Sequence, residues 1–551
     1  IPYIESKGIR VLKDEVIRVK GRSNYVCLRK MNRAYADAGL FDDESTKEQM
    51  EALLAWVEKT EDGSKSDLPF MPNADLWERV CSEADACGMG HCPDQKKCFV
   101  TKARREIAKA DIIVVNHHIF FSDIAIKVES ESFHTAQALL PAYQRVIFDE
   151  AHSIEDSATE YFGVSATRLG MLAALGRFHR QERGQERGLL PLIKARLIKD
   201  CPQVSLPEFE EIQKLIDERL APGVASCRER ATVAFDALRE LAGKESGQIG
   251  RDIKWRLTQE VLLDPNLRAV HLEFVVPAVD EMRTLTLGLN TLLTRLREIP
   301  QRPEDDEPPL YAETLQLRAY SNRLDNVANA LAECTSEQLV ENTVRWIEAD
   351  AWNESRVRVV RCPLEVGQPL ADWVYANLKT IVMTSATLTV RQEFDYLFTR
   401  VGLDLTKDDR VETLYLDSPF DFQRQALLAV VTDLPDPGDK QFGDASIDAI
   451  REILRITRGH AFVLFTSFSA LNHAANALRD ELQRQGIALL RQGDTARTKL
   501  LDRFRSDTSS VLFGTDSFWE GVDVAGESLQ CVIIPKLPFR VPTEPIQQAR
   551  A

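Results

Sequence analysis

Six short apolar runs, each ending in polar residues, constrain this chain more than any other feature of its sequence. DIIVVNH (111–117), RVIFDEAH (145–152), TIVMTSATL (380–388), AFVLFTSF (461–468), VLFGTDSF (511–518) and CVIIPKLPF (531–539) are rich in β-branched and aromatic residues. Continuous apolar runs of this length suit parallel strands buried on both faces. Six such strands imply an α/β protein, and in doubly wound sheets ligands bind beyond the carboxyl ends of the strands. DEAH, TSAT and FGTD are therefore expected at a site.

A chain of 551 residues exceeds one hydrophobic core and reads as three or four packing units. No run of 18 apolar residues offers a membrane span, and the first residues, IPYIESKGIR, lack an initiator Met and an export signal. A cytoplasmic protein with no membrane partner, of which this sequence is a piece, is the expectation. Roughly 160–350 reads as a helical insertion. Leu285, Leu289, Leu292, Leu293, Leu296 and Ile299 keep helical spacing, as do Leu317, Tyr320, Leu324, Ala328 and Leu331. QRPEDDEPPL (301–310) between them is a surface loop by its prolines and acids.

Ten cysteines are too few for a disulfide scaffold, yet five fall between residues 27 and 98. Cys87, Cys92 and Cys98 form C-x4-C-x5-C, with Cys27 upstream and Cys81 nearby. Thiolates at this density point to a metal, either an iron–sulfur cluster or zinc, and Cys81 or His91 could replace one of the four ligands. Cys201, Cys227, Cys334, Cys362 and Cys531 read as packing residues.

The formal charge of −16 opposes a nucleic-acid coat, but Lys7 to Arg33 carries a net +7 and Asp94 to Lys109 a net +4. Local fields of this kind support phosphate binding. Lys96, Lys97, Lys102, Arg104 and Arg105 surround Cys98, with Phe99 available to stack on a base. In FDEAH, a buried strand delivers Asp149 and Glu150, one carboxylate for a hydrated Mg2+ and one to polarise water. Thr384, Ser385 and Thr387 supply hydroxyls that can exchange hydrogen bonds with that site.

The ordered set KGRSNYVC (20–27), the cysteine box, VVNHH (114–118), FDEAH (148–152), CPLEVG (362–367), MTSATL (383–388), DSPFDF (417–422), LFTSF (464–468) and FGTDSFWEGVDVAGESLQCVIIPKLPF (513–539) resembles the iron–sulfur superfamily 2 DNA helicases of the XPD/DinG type. The resemblance implies two RecA-like motor domains, with an iron–sulfur domain and a helical arch inserted into the first. It places the first motor at 1–26, 110–160 and 351–405, the iron–sulfur domain at 27–109, the arch at 161–350 and the second motor at 406–551. It implies a [4Fe-4S] cluster on Cys27, Cys87, Cys92 and Cys98, and ATP with Mg2+ as the fuel. Asp149 then takes the Mg2+ role and Glu150 the water. His152, Ser385 and Thr387 couple ATP state to DNA grip. Glu520, Gly521 and Asp523 complete the nucleotide cleft, and Thr466 and Ser467 contact the phosphate backbone.

The implied activity is 5′ to 3′ DNA unwinding in repair or replication, on single-stranded, forked or structured DNA. No G-x-x-x-x-G-K-[ST] occurs, and the late Q-x-x-G-R-x-x-R motif is not reached, so residues 1–551 alone are not expected to turn over ATP. The alternative is a metal-containing nucleic-acid-binding module with a dead motor.

Overall fold

The structure, a computed structural model, describes residues 16–36, 44–70, 72–84, 86–87, 92–129, 139–182, 184–247, 252–302, 308–338, 340–350, 353–495, 497–539 and 544–551. His91, the amino-terminal part of the first basic patch and the middle of the 301–310 loop lie outside them. The chain divides into two compact units, one of residues 1–414 with 543–551 and one of 415–542.

All six expected strands are strands, and all pair in parallel. In the second unit the order is Leu489–Arg491, Val511–Gly514, Ala461–Leu464, Cys531–Ile533. Its period-2 geometry divides the side chains between two cores. Ala461, Val463, Val511 and Phe513 pack on the helices Phe442–Thr457 and Phe468–Arg484. Phe462, Leu464 and Leu512 pack on the helix Arg497–Ser506. Burial on both faces is what turns these strands into unbroken apolar runs.

In the first unit, Thr380–Thr384 pairs with Arg145–Asp149, and Val16–Arg18 pairs with Ile112–Val114. Phe148 is buried against Phe120, Phe121 and Ile154, while Ile147 on the opposite face is 72% exposed. A four-stranded antiparallel sheet follows the order Val164–Thr167, Val357–Pro363, Thr343–Ala349, Ile253–Arg256. The helix Pro545–Arg550 docks there through Lys254 to Glu544 at 2.5 Å and Arg256 Nη1 to the Gln548 carbonyl at 2.9 Å. The stretch read as wholly helical thus contains strands as well.

The expected helices are Val276–Glu298 and Tyr311–Thr335, with the spaced leucines in one large core. Ile299 is the residue at which the first of them ends. Two widened π segments, Leu215–Leu220 and His271–Val275, immediately precede helices with Pro222 and Pro277 in their first turns. Proline lacks the N–H that would close the preceding turn, and a wider turn lets the helix continue.

The cysteine-bearing segment has its own core of Val26, Met31, Met50, Leu53, Trp56, Leu76, Trp77 and Val80. Glu83 fastens it to the helical segment, meeting Lys30 at 2.6 Å, Arg323 at 2.7 Å and Arg177 at 3.5 Å. Phe99 is not free to stack on a base. Its ring lies where a Cβ on Gly63 would sit, and Gly63 holds a φ of +64°, so the two positions are mutually fitted.

Candidate functional site

Parallel register sets Thr384 opposite Asp149, so DEAH and TSAT leave their strands side by side. Glu150 turns the chain with φ 50° and ψ 47°, the left-handed region that non-glycine residues rarely adopt. Its carbonyl accepts from the Ser153 N–H at 3.0 Å and the Ser153 hydroxyl at 2.9 Å. The turn directs the carboxylate towards Ser385, whose hydroxyl donates to Glu150 Oε2 at 3.4 Å. His152 Nδ1 lies 2.7 Å from the same Ser385 oxygen and 3.4 Å from Glu150 Oε2. The Thr387 N–H donates to Ser385 Oγ at 3.3 Å, and the Thr384 hydroxyl donates to Asp149 Oδ1 at 3.5 Å.

Asp149, Glu150, His152, Ser385 and Thr384 therefore form one polar cluster with both carboxylates open to solvent. Thr387 contributes its backbone there and keeps an exposed side chain. Sequence reasoning missed His117, whose Nδ1 is 3.3 Å from Ser153 Oγ. Burial first, then the neighbouring His152, hold His117 below the usual imidazole range. Its place in VVNHH was the available signal.

In the second unit, Glu520, Gly521 and Asp523 form an exposed loop whose backbone is held from below. Arg497 donates to the carbonyls of Glu520 and Gly521, each at 3.2 Å, and Arg505 to that of Asp523 at 2.8 Å. Gln492 Oε1 accepts from the Thr515 N–H at 2.7 Å, and Gln492 Nε2 donates to Ser517 at 3.1 Å. These three anchors were not singled out from sequence. Ser467 caps the helix Phe468–Arg484, accepting from the Ala470 N–H at 3.2 Å, and Thr466 beside it is exposed. The amino end of a 17-residue helix is suited to a phosphate.

Cys27, Cys87, Cys92 and Cys98 form no disulfide and are of intermediate exposure. Cys27 precedes the helix Leu28–Ala36, and Cys98 caps Phe99–Ile107, so both lie at the positive ends of helices. Burial pushes the Cys27 thiol up, opposed by the Lys30 N–H and the charges of Arg29 and Lys30. Burial likewise raises Cys92, opposed by the Asp94 N–H and Arg29. Cys27 feels both Cys92 and Cys98. Among the described residues no three ligands are drawn together at metal-binding distances.

The surroundings nevertheless fit an anionic cluster. Arg22 Nε and Nη1 and Arg29 Nη1 are buried with no hydrogen-bond partner among the described residues. Arg104 is disfavoured in its charged form by burial and Arg22, and favoured by Cys87 and Cys98. Orphaned guanidinium N–H groups of this kind call for an acceptor such as thiolate or sulfide. Arg104 thus lies within electrostatic reach of Cys87 and Cys98, and like Lys96, Lys97, Lys102 and Arg105 it is exposed. Cys81 is 5% exposed in the apolar core, its thiol donating to the Glu78 carbonyl at 3.6 Å.

Residues 450–551 match the family described as Helicase C-terminal domain. The chain is 29% identical over 538 residues to "ATP-dependent DNA helicase YoaA" of Escherichia coli (strain K12), covering 97% of this chain and 72% of that protein. It is 29% identical over 551 residues to "ATP-dependent helicase DinG" of Mycobacterium tuberculosis (strain ATCC 25177 / H37Ra), covering 97% and 70%. It is 27% identical over 549 residues to "3'-5' exonuclease DinG" of Bacillus subtilis (strain 168), covering 97% and 54%. Along nearly its whole length the chain is thus similar to proteins named YoaA and DinG, described as ATP-dependent helicases, and its strand ends carry the motifs described above.

Proposed function

We propose that the chain is part of an ATP-dependent DNA helicase that moves 5′ to 3′ on single-stranded DNA and opens forked or structured DNA. The observation that carries this reading is the meeting of DEAH and TSAT through one hydroxyl, Ser385, within reach of both Glu150 and His152. Asp149 would hold a hydrated Mg2+, which would supply neutralisation of phosphate charge. Glu150 would take a proton from the attacking water. Ser385 and His152 can report on that carboxylate to the neighbouring TSAT strand end. In the second motor, 406–551, the Glu520–Asp523 loop serves the nucleotide, and Thr466 and Ser467 serve the phosphate backbone.

In the same reading 27–109 is an iron–sulfur domain and 161–350 a helical arch, both inserted into a first motor made of 1–26, 110–160 and 351–405. Cys27, Cys87, Cys92 and Cys98 would hold a [4Fe-4S] cluster, which supplies a covalent staple to a small domain. Arg22, Arg29 and Arg104 balance its charge.

The test is DNA-stimulated ATP hydrolysis by the intact protein, with unwinding of duplexes bearing a 5′ or a 3′ tail. Glu150→Gln keeps the side chain's size and removes its charge, so turnover should fall by about two to four orders of magnitude while ATP still binds. Unchanged turnover would assign the water to another residue. Tight DNA binding without hydrolysis by the wild type would favour a binding module with a dead motor.

A further inference from the structure

We infer that His117 is a positioning residue for Glu150, acting through Ser153, an inference that rests on the helicase reading above. Glu150 occupies a backbone conformation that opposes its own Cβ, so something must hold it there. The holder is Ser153, whose N–H and hydroxyl both donate to the Glu150 carbonyl, at 3.0 and 2.9 Å. With its proton engaged on that carbonyl, the Ser153 hydroxyl has only lone pairs to offer. His117 Nδ1, 3.3 Å away, is placed to donate to them.

His117 is itself held in place. It is the first residue of the helix His117–Glu129, whose amino end is capped by Asn116 Oδ1 accepting from the Ile119 N–H at 2.9 Å. The ring lies against Phe148, with centroids 5.9 Å apart and planes at 41°. Burial and the nearby His152 favour the neutral ring, and its single proton then belongs on Nδ1, facing Ser153. A chain of contacts thus runs from the helix cap through His117 and Ser153 to the strained peptide. On the far side of that peptide, the Glu150 carboxylate reaches Ser385. His117 touches no reacting atom; it fixes the direction in which Glu150 points.

The experiment compares wild type, His117→Ala, His117→Asn, Ser153→Ala and the double alanine variant of the intact protein. It measures kcat and KM for DNA-stimulated ATP hydrolysis, affinity for single-stranded DNA, and melting temperature. His117→Ala should lower kcat about ten- to a hundredfold, with KM for ATP and DNA affinity unchanged. His117→Asn puts an amide N–H where Nδ1 stood and should restore most of the rate. Ser153→Ala should match His117→Ala, and the double variant should be no worse than either, because both break one chain.

An unchanged kcat in His117→Ala, an Asn variant as slow as Ala at equal melting temperature, or multiplying losses in the double variant would overturn the inference. If His117→Ala fails to fold, Asn and Ser153→Ala decide it. A wild type that hydrolyses no ATP would overturn the helicase reading itself, and this inference with it.

Discussion

Lys127→Met should destabilise the first unit by about 3 kcal/mol, the low end of the range for breaking a buried ion pair. Lys127 and Asp123 have side chains only 1% and 0% exposed and meet at 2.8 Å. Asp123 also accepts from the Leu140 N–H at 2.7 Å and the Tyr143 hydroxyl at 2.8 Å. Lys127 Nζ sits 3.7 Å above the Tyr143 ring centroid. Methionine fills the volume but leaves the Asp123 carboxylate buried with two neutral donors, which soften the loss without replacing the cation. Urea unfolding is the assay. With a slope of about 3 kcal/mol per molar, the midpoint of the first unit should fall by about 1 M while the slope is unchanged. Adding Asp123→Leu removes the stranded charge and should recover part of the loss. Recovery should be incomplete, because the Leu140 N–H and Tyr143 hydroxyl then lose their acceptor. A single-variant loss below about 1 kcal/mol, or a double variant worse than the single, would refute the assignment of this pair as a buried anchor.

Protein purified without oxygen should be brown from thiolate-to-iron charge transfer, and Cys27→Ser or Cys98→Ser should bleach it while Cys81→Ser does not; a colourless wild type holding stoichiometric zinc would contradict this. Arg29→Leu should make the colour fade faster under chelator or oxygen, read as the decay rate of visible absorption, whereas an unchanged rate would leave the unpartnered Nη1 without a role. Reversing Lys96 and Lys102 to Glu should weaken single-stranded DNA binding for all sequences and flatten the slope of log affinity against log salt by about one to two, with the colour intact. Burial holds the His271 imidazole below its usual range, while its Nδ1 faces Thr335 Oγ1 at 3.0 Å. The unfolded chain therefore takes up a proton below about pH 6.5 that the folded chain refuses, so stability should decline as pH falls through that point. His271→Gln should decline less over the same span in denaturant titrations.

The six parallel strands were legible because sheets covered on both faces, or delivering a site, write themselves as apolar runs with polar ends. TVRWIEA and VRVVRCP were not read as strands, although each is a seven-residue stretch rich in β-branched or aromatic residues. They lie among strong helical periodicities, and Arg345, Arg358 and Arg361 masked the pattern. Asp149, Glu150 and Ser385 were legible as strand-end residues. The left-handed backbone of Glu150 was not, because nothing in D-E-A-H announces a conformation that Ser153 and His117 impose from elsewhere. Arg104 is surface charge in a basic run, as it looked, and only the folded segment shows that it also feels Arg22 and the thiols. Phe99 looked like a free aromatic until its match to Gly63 was visible.

The pairing of Asp149 with Thr384 also has a consequence for synthesis. The two residues are 235 positions apart. At ribosomal rates the first strand leaves the exit tunnel roughly 10 to 50 seconds before its partner exists. During that interval the segment Arg145–Asp149 has an unsatisfied edge, and Ile147 stays uncovered even in the finished fold. The intervening helices can fold meanwhile, since their core is their own. The half-built DEAH strand end therefore stays open while the helical segment forms, and needs protection from its neighbours on the polysome during that interval.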